Sequence, residues 1–137
     1  MKERITIILL TKNGERYLEE VMEGIFAQRV ALPFEVLAID SGSRDRSKEI
    51  LNRYPVRLVE IPPHEFNHGE TRNLGARLAH PDTCYLVYLS QDATPADEEW
   101  LNALIQPMLE AKAPVCGRVE TLPESRRIVR VLPEELQ

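Results

Sequence analysis

Apolar residues along this chain follow two alternating patterns. Residues 5–10 are continuously apolar and rich in β-branched side chains, which is typical of a strand that is covered on both faces. After a break at Asn13-Gly14, apolar residues recur at the three- and four-residue spacing of a helix. Because this alternation continues along the chain, the pattern predicts an α/β fold with a mainly parallel sheet and helices on both faces.

The same patterns predict five strands and four helices. A later helix is expected to begin with Thr94 as its cap and Pro95 in its first position, and Pro107 is expected to kink it near its end. Residues 1–120 are assigned to one domain and residues 121–137, where prolines and charges dominate, to a weakly specified C-terminal tail. The predicted strands are residues 5–10, 34–39, 56–61, 84–89 and 115–119, and the other helices are residues 18–26, a short helix with Ile50 and Leu51, and residues 69–79.

Composition and charge narrow the classes of function. The 137 residues suffice for one ordinary domain, and a formal net charge of −5 argues against a broad electrostatic surface for nucleic acid. The first apolar run is too short for a signal peptide or a membrane span, and Cys84 and Cys116 lie in apolar runs that favour buried, reduced thiols. We therefore expect a cytoplasmic protein, and association with a membrane surface stays open.

Polar clusters follow the predicted strands at the points where the strands end or the next helix begins. In an open α/β sheet, ligands bind just outside the carboxyl ends of the strands. The clusters therefore predict one site, and their chemistry suggests metal-assisted binding of a diphosphate. They are Thr11-Lys12-Asn13-Gly14, Asp40-Ser41-Gly42-Ser43-Arg44-Asp45, Asn67-His68-Gly69-Glu70-Thr71-Arg72-Asn73 and Ser90-Gln91-Asp92.

The first two clusters suit the nucleoside part of such a ligand. The turn at residues 11–13 can present backbone amides and short polar side chains to a base or ribose, and an ordinary turn is the alternative. Asp40 ends a strand without an evident structural task, and its carboxylate can accept hydrogen bonds from a base or from ribose hydroxyls. Ser43 and Asp45 have the sequence positions of helix caps.

The last two clusters suit the diphosphate. Arg72 is expected in the first turn of a helix, beside N-terminal backbone donors that favour an anion; a solvated arginine paired with a neighbouring acid is the alternative. Gly75 gives the same helix a small face that can lie close to the sheet. Asp92 supplies one oxygen ligand for Mg²⁺ or Mn²⁺, which commonly take one or two carboxylates plus substrate phosphates. His68 is left open between a ligand, an acid and a loop residue.

In this order and spacing, the four clusters resemble the family 2 glycosyltransferases with the GT-A fold. The versions Phe66-Asn67-His68-Gly69 and Ser90-Gln91-Asp92-Ala93 are most similar to the rhamnosyltransferase-type members. The resemblance covers about residues 5–119 and implies a Rossmann-like fold that binds nucleotide-diphospho-sugars. It also implies a UDP- or dTDP-linked sugar donor, a divalent metal (Mg²⁺ or Mn²⁺), and a glycan or lipid-linked acceptor in polysaccharide or cell-surface glycan synthesis.

The resemblance also assigns roles to single residues. Asp40 matches the carboxylate that recognises the nucleoside, Arg72 an arginine near the base and phosphates, and Asp92 the last acid of the Asp-x-Asp metal motif. Ser90 stands where the first acid of that motif usually is. The candidate nucleotide-binding residues are therefore Thr11, Lys12, Asn13, Asp40, Ser41 and Arg72, and the candidate metal ligand is Asp92.

Members of this family continue with an acceptor-binding half that usually carries the catalytic base, and nothing after Val119 resembles it. The chain is therefore similar to the donor half, and no catalytic residue is identified in it. We expect a glycosyltransferase donor domain; the alternative is a catalytically silent nucleotide-sugar-binding module or a partner subunit without the acceptor domain. Self-association into a homo-oligomer is left open.

Overall fold

The computed structural model describes residues 3–111, 118–121 and 127–131. Six strands and four helices are found in these ranges, and strands and helices alternate up to the fourth helix. The strands are β1 (Arg4–Thr11), β2 (Phe34–Asp40), β3 (Val56–Glu60), β4 (Thr83–Ser90), β5 (Arg118–Thr121) and β6 (Arg127–Val131). The helices are α1 (Glu15–Phe26), α2 (Ser47–Leu51), α3 (His68–Leu78) and α4 (Trp100–Ala111), with a short 3-10 helix at Pro63–Glu65.

The strands form one sheet in the order β3-β2-β1-β4-β6-β5. All neighbouring pairs are parallel except β5 with β6, which is antiparallel. The four predicted strands before residue 90 and the three helices between them are thus confirmed, because long apolar runs and helical spacing are both strong there. The architecture is the predicted α/β fold.

Helices cover both faces of the sheet, as the apolar strands require. Adjacent strand residues point to opposite faces: Ile7 packs into the cluster that includes α1 and α4, and Ile8 packs into the cluster that includes residues of α3. Both isoleucines are almost completely buried. Each such side chain contributes roughly 1.5–3 kcal/mol of hydrophobic stabilisation, and β1 is an inner strand between β2 and β4.

Gly75 lets α3 lie directly on the sheet. A Cβ at this position would be 2.8 Å from Cγ2 of Ile8 and 3.4 Å from Cδ1 of Ile39, closer than side chains normally pack. The small helix face predicted from the sequence is confirmed at Gly75.

The start of α4 differs from the sequence-based prediction. Thr94 and Pro95 do not begin the helix; they pack against Gly24 of α1, where a Cβ would be 3.0 Å from Cδ of Pro95. The chain can turn into a helix only after this crossing, at Trp100. The N–H of Leu101 then donates to Oε1 of Gln28 at 2.8 Å, so a side chain just after the end of α1 satisfies one donor in the first turn of α4, where Thr94 was expected to be the cap.

The C-terminal part also departs from the sequence-based prediction. Helix α4 ends at Ala111, four residues after Pro107, and the described part of β5 begins at Arg118, while residues 115–117 of the predicted strand lie outside the described residues. The segment assigned to a tail contributes β6, which pairs with β4.

Two further observations concern the thiols and the helices. Cys84, near the start of β4, is a free thiol and is half-buried rather than buried; Cys116 lies outside the described residues. Within the described ranges, no helix has the combination of length and apolar composition that a membrane crossing needs.

Candidate functional site

The carboxyl ends of β1, β2 and β4 meet at one edge of the sheet. Thr11 at the end of β1 is paired with Asp40, and Leu10 is paired with Ser90. Since β1 lies between the other two strands, Asp40 and the segment that carries Asp92 lie on its two sides, about 10 Å apart, or two strand spacings. The common edge is as predicted, and β1 separates β2 from β4.

The carboxylate of Asp40 holds together the loop that follows β2. Its Oδ1 accepts from Oγ1 of Thr11 at 3.0 Å and from Oγ of Ser43 at 2.5 Å. Its Oδ2 accepts from the backbone N–H groups of Gly42 and Ser43 at 3.1 and 2.9 Å. Asp40 is fully buried, and a carboxylate offers about four acceptor sites. The expectation that Asp40 has no structural task is therefore wrong.

Gly42 shapes the turn that delivers these donors. Its φ is +93°, a conformation that side chains with a Cβ strongly disfavour, and the ring of Pro63 occupies the space where a Cβ would lie. The adjacent Ser41 is also buried and donates its N–H to the carbonyl of Thr11 at 3.1 Å. The backbone here is consequently fixed on several sides.

The loop after β1 is bound to the loop after β2 through Asn13. Its N–H donates to Oγ of Ser43 at 2.8 Å, and its Oδ1 accepts from the N–H of Arg44 at 2.8 Å. Asn13 has a φ of +49°, which asparagine tolerates better than most residues. Gly14 adds a third contact, donating its N–H to Oγ of Ser47 at 2.8 Å.

Ser43 is not a cap of α2, whose N-cap residue is Arg46 without a side-chain cap bond. Asp45 accepts from the N–H of Ser47 at 2.9 Å and from the N–H of Glu15 at 3.1 Å, so it joins the beginnings of α2 and α1. Desolvation raises the pKa of Asp45, but the hydrogen bonds from Ser47 and Glu15 together lower it below its ordinary value. Asp45 is therefore a structural acid and no candidate base.

Gln91 joins the loop after β4 to the loop after β1. Its Oε1 accepts from the N–H of Lys12 at 2.9 Å, and its Nε2 donates to the carbonyl of the same residue at 3.0 Å. A Cβ on Gly14 would be 2.5 Å from this Oε1, so the contact requires glycine there. Sequence reasoning did not assign Gln91 a role, since nothing in its surroundings indicates a partner 79 positions away.

Asp92 lies beside Gln91 in a turn closed by the N–H of Ala93, which donates to the carbonyl of Ser90 at 3.1 Å. The Asp92 side chain is exposed rather than at a buried edge. Across the described ranges, no three His, Cys, Asp or Glu side chains are grouped closely enough to hold a metal. One exposed carboxylate fits a divalent ion that arrives with a diphosphate, since Mg²⁺ is commonly held by one or two carboxylates plus substrate phosphates.

Helix α3 begins at His68, one residue earlier than predicted, with Oδ1 of Asn67 accepting from the N–H of Glu70 at 3.1 Å. Arg72 therefore lies in the second turn and not in the first. It is half-buried, and the hydroxyl of Tyr88 donates to its carbonyl at 2.8 Å. His68 is exposed on the helix and meets the ring of Phe66 edge-on, with 4.8 Å between ring centroids.

The structure thus brings together three of the four sequence clusters by direct hydrogen bonds. The loops that begin at Thr11, Asp40 and Ser90 form one connected floor at the carboxyl edge of the sheet. Arg72 lies on α3, which follows β3 and therefore starts at the same edge. Lys12 is exposed at the centre of this floor; its backbone is bound by Gln91, and the next residue, Asn13, is bound to the loop after β2.

The chain is similar to known proteins over most of its length. The profile of Glycosyl transferase family 2 matches residues 6–135. The O-antigen chain rhamnosyltransferase RfbN of Salmonella typhimurium is 32% identical over 120 residues, covering 84% of this chain and 37% of that protein. WbaN of Salmonella anatum, also an O-antigen chain rhamnosyltransferase, is 33% identical over 94 residues, covering 68% of this chain and 30% of that protein. The chain spans about a third of the length of these two relatives.

Solved structures share the fold. The crystal structure of S. aureus TarS 1–349 superposes with a TM-score of 0.68 at 22% identity, covering 82% of this chain and 33% of that one. The same protein in complex with UDP superposes with a TM-score of 0.65 at 23% identity, over 82% of this chain and 33% of that one.

Proposed function

The chain belongs to glycosyl transferase family 2, whose members are transferases, and on this premise we propose that it binds the nucleotide-sugar donor of a glycosyltransferase. The sugar would pass to a glycan or lipid-linked acceptor in polysaccharide or O-antigen synthesis, as the names of RfbN and WbaN suggest. The same names favour rhamnose as the sugar. The observation that carries the proposal is the hydrogen-bonded floor formed by three strand-end loops at one sheet edge.

In this proposal, the nucleoside lies against the loops after β1 and β2. Lys12 and Asn13 offer exposed polar groups there, while Thr11 and Ser41 are buried and shape the backbone. Asp40 acts on the nucleoside through the loop that it holds, because its own acceptor sites are filled by Thr11, Gly42 and Ser43. The complex of TarS with UDP supports a nucleoside diphosphate as the kind of ligand.

The diphosphate would extend toward Asp92 and Arg72. The carboxylate of Asp92 would hold a divalent ion together with the phosphates, and a bound ion would neutralise charge that develops on the departing diphosphate. The guanidinium of Arg72 suits the same charge. Sugar transfer also needs a base for the acceptor, and we assign no residue of this chain to that step.

Calorimetric titration of the chain with UDP, dTDP and GDP, each with and without Mn²⁺, tests the proposal. We expect UDP or dTDP to bind more tightly than GDP, and binding to become tighter with Mn²⁺. Absence of binding by all three nucleotides would contradict the donor-binding role.

The Asp92→Asn variant tests the metal ligand separately. Because Asp92 is exposed and lacks a hydrogen bond or ion pair to the described residues, the substitution should leave the melting temperature unchanged. The gain in affinity from Mn²⁺ should disappear, and metal-free affinity should stay equal or rise slightly as one negative charge leaves. An unchanged gain would mean that the nucleotide alone holds the ion.

A further inference from the structure

We propose that Gln91 is a positioning residue that sets the distance between the nucleoside-binding loop and the diphosphate-binding acid Asp92. This inference rests on the proposed function and assigns the role to a side chain that need not touch the ligand. Both hydrogen-bonding ends of its amide are used on one backbone unit, the N–H and the carbonyl of Lys12.

The side-chain amide of Gln91 continues the contact between β1 and β4 beyond the last backbone pair of the two strands. The last register pair of β1 with β4 is Leu10 with Ser90, and beyond it the two chains separate. On its other side, β1 is held by the backbone of β2 through the Ser41 N–H on Thr11. Gln91 supplies the missing contact on the β4 side, two residues further along β1. The end of β1 is thereby fixed from both neighbours.

The same contact fixes Asp92. Gln91 and Asp92 are the two central residues of the turn that Ala93 closes on Ser90. A turn of this kind has few internal freedoms, so anchoring one central residue orients the backbone of the other. Since Lys12 is anchored as well, the amide determines how far the acid lies from the nucleoside-binding loop.

Gly14 is the second residue on which the position of the Gln91 amide depends. The amide of Gln91 can reach Lys12 only because no side chain stands at position 14. Gly14 has a φ of −101°, which alanine also adopts, so the requirement for glycine comes from Gln91 and not from the backbone. A methyl group there would displace the amide without adding backbone strain.

The chain offers a matched control in Gln28. Its side chain also clamps backbone groups, donating to the carbonyls of Gly24 and Asp97 at 3.0 and 2.6 Å and accepting from Leu101. It lies at the C-terminal end of α1, whereas the candidate site lies at the beginning of that helix. Deleting its amide removes a comparable number of hydrogen bonds far from the site.

The experiment measures binding of UDP and dTDP with and without Mn²⁺, and of uridine and thymidine, to the unmodified chain, Gln91→Met, Gly14→Ala and Gln28→Ala. Gln91→Met keeps the side-chain length and removes both hydrogen bonds. Melting temperatures are recorded for every variant.

We expect Gln91→Met and Gly14→Ala to reduce the Mn²⁺-dependent gain in diphosphate affinity by about 10- to 100-fold, the usual effect of losing a residue that orients a metal ligand. Nucleoside affinity should change less, because the contacts from Asn13 to Ser43 and from Ser43 to Asp40 still hold the loop that carries Lys12. Gln28→Ala should lower the melting temperature and leave both affinities unchanged.

Three results would overturn the inference in distinguishable ways. If neither diphosphate binds the unmodified chain, the proposed function fails and the inference with it. If the diphosphates bind and Mn²⁺ strengthens their binding equally in the unmodified chain and in Gln91→Met, only the positioning role fails. A loss that appears equally in Gln28→Ala would show a general effect of stability and would also overturn it.

Discussion

The carboxylate of Asp40 is surrounded by donors from its own chain, from Thr11, Gly42 and Ser43. An acid at the end of a strand is the residue that sequence comparison associates with ligand recognition. Its sequence context does not reveal that a serine three positions later and a threonine on another strand use the same oxygens. The position of the acid at the end of a strand could be predicted. The hydrogen bonds that its carboxylate accepts could not, because they depend on how two loops pack together.

Replacing Asp40 by alanine should therefore destabilise the fold. Buried donors would lose their acceptor, and we expect the free energy of unfolding to fall by roughly 2–4 kcal/mol. Urea denaturation at neutral pH measures the change. Asp92→Ala is the matched control at an exposed acid, where the change should stay within about 0.5 kcal/mol. Equal stability of the two variants would show that the Asp40 contacts contribute nothing.

The start of helix α4 shows that a local sequence signal can place the boundary of an element wrongly. Thr94-Pro95 followed by acidic residues is typical of a helix start, yet the segment is used to cross α1 at Gly24. The N–H of Leu101 in the first turn of α4 donates to Gln28. Gln28 is distant in sequence, and no local sequence pattern marks it as a helix cap. Helix existence was predictable from apolar spacing, and the helix boundary was not, because a tertiary contact overrides the local preference.

This correction predicts a larger loss of stability for one of two substitutions. Gln28→Ala should lower the free energy of unfolding by about 1 kcal/mol, the typical loss for a helix cap. Thr94→Val keeps the side-chain shape and removes only the hydroxyl, and it should change stability by less than about 0.5 kcal/mol. Thermal unfolding followed by circular dichroism compares them. A larger loss of stability for Thr94→Val than for Gln28→Ala would show that Thr94 caps α4, as the sequence pattern predicts.

Asp45 connects the beginnings of α1 and α2, and its lowered pKa makes this connection dependent on pH. Its contribution should be fully present above its unfolded pKa of 3.8 and should be lost as the pH falls through the lower folded value. The stability difference between the unmodified chain and Asp45→Asn should accordingly shrink in strong acid. Urea midpoints at pH 7 and at successively lower acidic pH values measure it, and a constant difference would contradict the assignment.

The whole sheet extends further than the sequence pattern indicates. Four parallel strands follow from long apolar runs, but β6 comes from a segment rich in prolines and charges and is inserted between β4 and β5. Its place could not be predicted because a short strand acquires its pattern from its neighbours. The candidate site does not depend on β5 and β6, since its described contacts come from β1, β2, β4 and their loops.

A chain that ends at Thr121 tests the contribution of β6. Without it, β5 loses its paired neighbour and the apolar β4 is left with an open edge, which promotes aggregation. We expect a lower melting temperature and self-association in gel filtration. A chain that ends at Val131 keeps β6 and should be closer to the full chain in both measurements. Identical behaviour of the two shortened chains would show that the pairing of β6 with β4 contributes little.

The close approach of α3 at Gly75 has a consequence for how this family member can diverge. Arg72 lies three residues before Gly75 on the same rigid helix, and the contact of Gly75 with Ile8 and Ile39 sets the height of that helix above the sheet. A substitution that adds or removes one methyl group in the hydrophobic core under α3 would raise or lower this helix above the sheet. The guanidinium of Arg72 would move with it. Natural selection can therefore retune the affinity for an anionic ligand through core residues that never touch it.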